Sequence, residues 1–243
     1  MKIAVTEEAR PRVTAPLWAT ERVQLLSGGA SPHEFEWLLS LDHDRLALSR
    51  PGEPGHPLSV DFSAGALGWR RERVHQERLV RACGLTRVGA PGEVVDATAG
   101  LARDAVLLAA AGARVILLER HPLLHALLND ALERADDDTS ARMQLFHADG
   151  ADWLLSRSER RELIYLDPMF PSMNRRAALK KEQQWLQLLL DQPSVEEERR
   201  LLDAALQSAR RVVVKRPAGA DPLDRRAPHH SLDGKTVRFD VYE

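Results

Sequence analysis

Cysteine is almost absent from this chain. A single one, Cys83, excludes an internal disulfide and any zinc site built from several thiolates. No apolar run approaches the roughly 18 residues that a membrane-spanning helix needs. The best stretch, 105–118, is broken by Arg114. The opening MKIAVTEEAR has no apolar signal core and turns acidic at Glu7 and Glu8, so a cytoplasmic protein is expected. Neither charge sign dominates: 34 Lys and Arg stand against 36 Asp and Glu, a net of −2. Any nucleic-acid surface must therefore be local. G-x-S-x-G and P-loop sequences are missing as well, which leaves hydrolase and nucleotide-triphosphatase readings without an anchor.

What is present divides near residues 70–90. Before that point, short elements are separated by turn chemistry. Ser31-Pro32-His33-Glu34 offers a cap, a proline at the first helical position and a glutamate at the third, and predicts a helix through about Ser40. Arg45–Ser49 and Leu58–Phe62 read as short strands around the loop PGEPGHP. Residues 1–68 are expected to form a small α+β appendage. A helix from about Trp69 to Cys83, ended by Gly84, should lead into the main domain at 69–243.

From Glu93 onward, strands and helices alternate. EVVDA, RVILLE, MQLFHA, ELIYLD and RVVVK are strand candidates, and all but the last are followed by a helical pattern. Nearly all-apolar strands joined by helices imply a parallel sheet covered on both faces. TVRFDVY alternates as a half-buried strand, the second arm of a hairpin turning at Asp233-Gly234. The expected class is α/β, a doubly wound Rossmann-like sheet whose last strand runs antiparallel.

In such a sheet, ligands bind beyond the carboxyl ends of the strands, near the switch in strand order. After the first strand comes a turn from Asp96 through Gly100 to Arg103 and Asp104, either a cofactor loop or a plain strand–helix turn. Its single glycine makes it a poor dinucleotide fingerprint, which counts against a nicotinamide-dependent oxidoreductase. Glu119 and Arg120 end the second strand. An acid about twenty residues beyond a ligand loop commonly accepts from ribose hydroxyls. Asp149 and Gly150 follow the third strand, where a carboxylate can receive an adenine amino group or cap a helix. The fourth strand is followed by Asp167-Pro168-Met169-Phe170-Pro171. There Asp167 and the carbonyl of Pro168 can accept the two hydrogens of a planar amine while Phe170 stacks on its ring.

These residues resemble the class I S-adenosylmethionine-dependent methyltransferases that act on exocyclic amines, whose [D/N]-P-P-[Y/F] motif reads here as DPMF, with Met169 at the second proline. DATAGLARDA, LLER, YLDPMFP and VVVKRP are similar, more narrowly, to the bacterial small-subunit ribosomal RNA guanine-N2 methyltransferases of the RsmJ type, over about Asp61 to Tyr242. The resemblance implies that Arg103, Asp104, Glu119, Arg120, Asp149 and Gly150 contact S-adenosylmethionine. It also implies that Asp167 closes that site and faces the guanine, and that the substrate is the 3′-terminal region of 16S rRNA, naked or in the small subunit. DNA adenine or a protein glutamine would suit DPMF equally well.

Local basic clusters at Arg70 and Arg71, Arg175 and Arg176, Lys180 and Lys181, and Lys215 and Arg216 are candidates for tracking RNA phosphates. His121 and His125 have metal-pair spacing but no evident third ligand, so no metal is expected. Cys83 reads as a small buried hydrophobe.

Overall fold

The computed structural model describes residues 2–20, 22–26, 30–53, 56–63, 65–169, 181–190 and 192–243. Its N-terminal part holds strands β1 (Ile3–Val5), β2 (Val23–Leu25), β3 (Trp37–Asp42), β4 (Arg45–Ser49) and β5 (Leu58–Ser59), with a short helix α1 (Ala15–Trp18). They form one sheet in the order β2-β1-β3-β4-β5, parallel on the β2–β1–β3 side and antiparallel from β3 to β5.

The helix expected from Ser31 to Ser40 is not formed. Ser31 does accept from the His33 N–H at 3.4 Å, but only a single 3-10 turn, Pro32–Glu34, follows. Beyond it Trp37 and Leu39 are buried while Leu38 and Ser40 are half-buried, a period-two pattern that only a strand can satisfy. β3 then turns into β4 through His43 and Asp44, both at positive φ (49° and 59°), with Asp42 opposite Arg45. This is the geometry of a two-residue type I′ hairpin without its usual Asn-Gly. The strand expected over Leu58–Phe62 shrinks to β5.

The helix expected over 69–83 is broken. α2 (Gly65–Glu72) ends before a 3-10 turn at Val74–Gln76, α3 (Arg78–Ala82) follows, and Gly84 at φ +73° stops the chain from continuing. From there β6 (Glu93–Asp96), α4 (Arg103–Ala110), β7 (Arg114–Glu119), α5 (Pro122–Glu133), α6 (Asp137–Arg142), β8 (Met143–His147), α7 (Gly150–Leu155) and β9 (Arg161–Leu166) alternate almost as read. The addition is α6, which Asp136 caps by accepting from the Thr139 N–H at 2.8 Å. α8 (Lys181–Leu189), α9 (Val195–Ser208), β10 (Ala209–Pro217), β11 (His230–Asp233) and β12 (Val237–Tyr242) complete the chain.

The second sheet has the order β11-β12-β10-β9-β6-β7-β8, with β6 to β10 parallel and β12 antiparallel to β10. The strand order reverses between β6 and β9, which opens a crevice at their carboxyl ends. α5 packs against β8 and also against β4 of the N-terminal sheet. That double contact explains why Leu123, Leu124, Ala126, Leu127, Leu128 and Ala131 are all buried. One apolar cluster runs from Ile3, Leu39 and Leu46 through Leu107 and Leu124 to Val94 and Leu163. Each fully buried leucine in it contributes about 1.5–3 kcal/mol. Cys83 lies in the same cluster, and burial pushes its thiol well above the usual value, so it is packing rather than chemistry.

Candidate active site

The crevice is lined by carboxylates. Asp96, the last residue of β6, is 2% exposed and pairs in register with Tyr165 of β9. Its Oδ1 accepts the Thr98 N–H at 3.1 Å. Burial, with Asp104, Asp167 and Glu119 adding negative charge, pushes its pKa up to about 8. Thr98 also accepts the Asp167 N–H on its hydroxyl at 2.6 Å, tying the loop after β6 to the loop after β9.

Gly100 holds φ +55° and Ala102 φ +53°, so the turn before α4 is left-handed at two positions. The Gly100 N–H is donated to Oε2 of Glu119 at 2.9 Å, and the His121 N–H to Oε1 at 2.7 Å. Burial pushes Glu119 up to about 7, against the pull of those two donors. Each of its oxygens keeps a second lone pair for a hydroxyl.

Arg103 opens α4 on the exposed side, and Asp104 points inward. Asp104 Oδ2 accepts the Tyr165 hydroxyl at 2.6 Å and the Lys215 ammonium at 2.7 Å. Arg70 stands 4.0 Å from its other oxygen. Burial acts to raise Asp104, but Lys215, Tyr165 and Arg70 together hold it below the usual carboxylate range. Asp167 Oδ2 accepts from the same ammonium at 2.8 Å. Its pKa lies above the usual value because burial and Asp104 outweigh Lys215. Pro168 beside it is buried and Met169 half-buried. Phe170 lies outside the described residues.

At the edge of the crevice Asp149 is the N-cap of α7, accepting the Asp152 N–H at 3.1 Å. Gly150 is required by packing, since a Cβ there would stand 2.5 Å from the Ala97 carbonyl oxygen. Arg120 is half-exposed and pairs with Glu197 at 2.9 Å, with Asp149 at 3.8 Å.

The basic residues are placed otherwise than an open phosphate track would need. Arg70 makes a bidentate pair with Glu77 at 2.9 and 2.8 Å. Arg71 reaches Asp136 and Thr139 at 3.1 and 2.9 Å. Lys215 is turned inward onto two carboxylates. Arg216, one position on, is buried and donates to the Asp221 carbonyl at 2.9 Å, because neighbours in a strand face opposite sides of the sheet. Arg175, Arg176 and Lys180 lie outside the described residues, and Lys181 begins α8. His125 hydrogen-bonds Thr14 at 3.2 Å and stacks edge-on against His147. Among the described residues no three His, Cys, Asp or Glu side chains are grouped to hold a metal ion.

Sequence reasoning missed Thr98 and Tyr165. Tyr165 carried a signal, since a tyrosine inside an apolar strand needs a partner for its hydroxyl. The partner, Asp104, is 61 residues away.

A family model described as a SAM-dependent methyltransferase matches residues 20–243. The ribosomal RNA small subunit methyltransferase J of Thioalkalivibrio sulfidiphilus is 49% identical, over 81% of this chain and 80% of that one. The protein of the same name from Alcanivorax borkumensis is 44% identical over 96% and 92%. Among solved structures, a SAM-dependent methyltransferase from Neisseria gonorrhoeae superposes with a TM-score of 0.73 at 29% identity, covering 100% of this chain and 95% of that one. Sequence likeness at this level, carried through the whole length of a shared fold, means that the chain belongs to the ribosomal RNA small subunit methyltransferase J family of SAM-dependent methyltransferases.

Proposed function

We propose that this protein transfers a methyl group from S-adenosylmethionine to the exocyclic N2 of a guanosine in the 3′-terminal region of 16S rRNA, free or within the small subunit. The observation that carries this reading is the position of Asp167. It sits where the strand order reverses, held through its N–H by Thr98 and through Oδ2 by Lys215.

The residues fit the cofactor. Asp96, Asp104, Glu119 and Asp167 converge on a crevice that, among the described residues, holds one inward ammonium, Lys215, and two of them, Asp96 and Glu119, are pushed up to about 8 and 7. A ligand bearing a sulfonium and an ammonium supplies the missing positive charge. Glu119 is placed to accept from ribose hydroxyls, and the left-handed turn at Gly100 brings backbone close to the ligand. When bound, S-adenosylmethionine supplies an electrophilic methyl on sulfur.

A guanine amine is a weak nucleophile because its lone pair feeds the ring. Acceptors at Asp167 and the Pro168 carbonyl return density to nitrogen and aim it at the methyl carbon. With the cofactor bound, the nitrogen lone pair would form the new N–C bond and the C–S electron pair would leave on sulfur, the residues here serving to hold the amine in line. One N–H proton then leaves the cationic nitrogen, with Asp167 Oδ1 as the nearby acceptor. The base must leave its stack to reach this depth.

The test is methyl transfer from labelled S-adenosylmethionine into small-subunit particles and free 16S rRNA lacking the modification. Label recovered as N2-methylguanosine supports the reading. Label recovered only in DNA adenine or in a protein amide would replace it.

A further inference from the structure

Among the described residues of the candidate RNA face, Lys215 is the one whose ammonium the structure turns onto the crevice carboxylates. The register Val214↔Leu166 between β10 and β9 sets the next residues of the two strands, Lys215 and Asp167, side by side at the carboxyl end of the sheet. Its ammonium lies 2.7 Å from Asp104 and 2.8 Å from Asp167, with the side chain 24% exposed. Two carboxylates brought to one ammonium would repel each other without it. Tyr165 beneath donates to Asp104 at 2.6 Å and fixes that end of the bridge.

We propose that Lys215 is a positioning residue for methyl transfer rather than an RNA contact: it holds Oδ2 of Asp167 in an ionised carboxylate and leaves Oδ1 for the amine of the base. This rests on the methyltransferase reading above. Among the described residues, the charged and titratable groups around Asp167 are Lys215 on β10, Asp104 on α4, Asp96 on β6 and Tyr165 on its own strand. Arg70 of α2 reaches Asp104, and Glu119 of β7 faces Asp96. Among the described residues Lys215 is the cation in direct contact with Asp167, so removing it leaves a half-buried carboxylate beside a second one. A proton then goes onto the pair, and Asp167 is its destination, since Tyr165 and Arg70 still favour the charged form of Asp104.

The test compares Lys215→Met and Lys215→Arg with the unaltered protein on the same rRNA substrate. Cofactor titration and thermal unfolding serve as checks on the fold, and Lys215→Gln replaces the methionine variant if that one unfolds. The neutral variant is expected to lose about tenfold or more in kcat near neutral pH, with KM for RNA changed by less than about threefold. The acid limb of its kcat profile should move up by about one pH unit or more, so that activity returns at high pH. Lys215→Arg keeps the positive charge between the two carboxylates and should therefore keep the acid limb of the profile. An unmoved acid limb, or a rise in KM for RNA with kcat intact, overturns the proposal, the second in favour of a phosphate contact. Carbon-13 titration of the aspartate carboxylates in both proteins reads Asp167 directly. If even the unaltered protein gives no N2-methylguanosine, the function reading fails, while the titration still decides whether Lys215 keeps Asp167 ionised.

Discussion

Two buried carboxylate sites in this molecule treat the same side chain in opposite ways. Asp130, in the last turn of α5, is fully buried and held by two arginines and a backbone N–H. Oδ1 accepts from Arg12 at 2.9 Å, and Oδ2 accepts from Arg134 at 2.9 and 2.8 Å and from the Leu46 N–H at 3.1 Å. Arg134 continues to the Val60 carbonyl and Arg12 to Asp44, so one carboxylate fastens the N-terminal sheet to the parallel one. At the crevice the balance is reversed: among the described residues, four carboxylates face one inward lysine. A matched charge fixes the fold, whereas an unmatched group waits for a ligand and is destabilised until it arrives.

Breaking the matched site should have the largest effect on stability. Asp130→Ala leaves Arg12 and Arg134 without their anchor, and a loss of about 3–5 kcal/mol is expected by denaturant titration. A change below about 1 kcal/mol would mean that the apolar cluster alone joins the two sheets.

The unmatched site should respond in activity instead. Asp167→Ala is expected to lower kcat by about 10²–10³ while weakening cofactor affinity far less. Equal losses in both would make Asp167 a cofactor ligand only.

Gly150→Ala should cost about 1–3 kcal/mol by overpacking against Ala97, and should also weaken cofactor binding through the displaced end of β6. Calorimetry of binding and unfolding would read both.

The electrostatic contrast itself can be titrated. Asp96 and Glu119 have folded-state pKa values of about 8 and about 7, above their unfolded values, so the stability they allow is full at low pH and lost as pH rises through that range. Between roughly pH 4 and 8 the unliganded protein should therefore lose melting temperature while the stabilisation given by S-adenosylmethionine grows. Asp96→Asn should flatten both trends.

The smallest effect separates cap from ligand at the crevice edge. Asp149→Ala should cost about 1 kcal/mol and weaken cofactor binding, and Asp149→Ser should restore the stability alone.

The parallel sheet was legible because its signals are local. Near-continuous apolar runs, Pro122 opening α5, Gly84 and Gly112 at positive φ and the hairpin at Asp233-Gly234 each act over a few residues. The N-terminal sheet was less legible. A good cap at Ser31 was outweighed by tertiary burial of Trp37 and Leu39, and His43-Asp44 made a hairpin turn without the residues that usually announce one.

The sequence by itself determined where the carboxylates of the crevice would fall, because the residue that ends a strand is set by the strand's own pattern. Only the tertiary structure decided how the charges pair. Lys215 meets Asp104 across 111 residues, Asp130 draws Arg12 across 118, and Arg216 turns away from Lys215 because strand neighbours face opposite sides. Hydrophobic periodicity places a residue on a face. Which charge stands across from it depends on strand order, and that follows from the packing of the whole sheet.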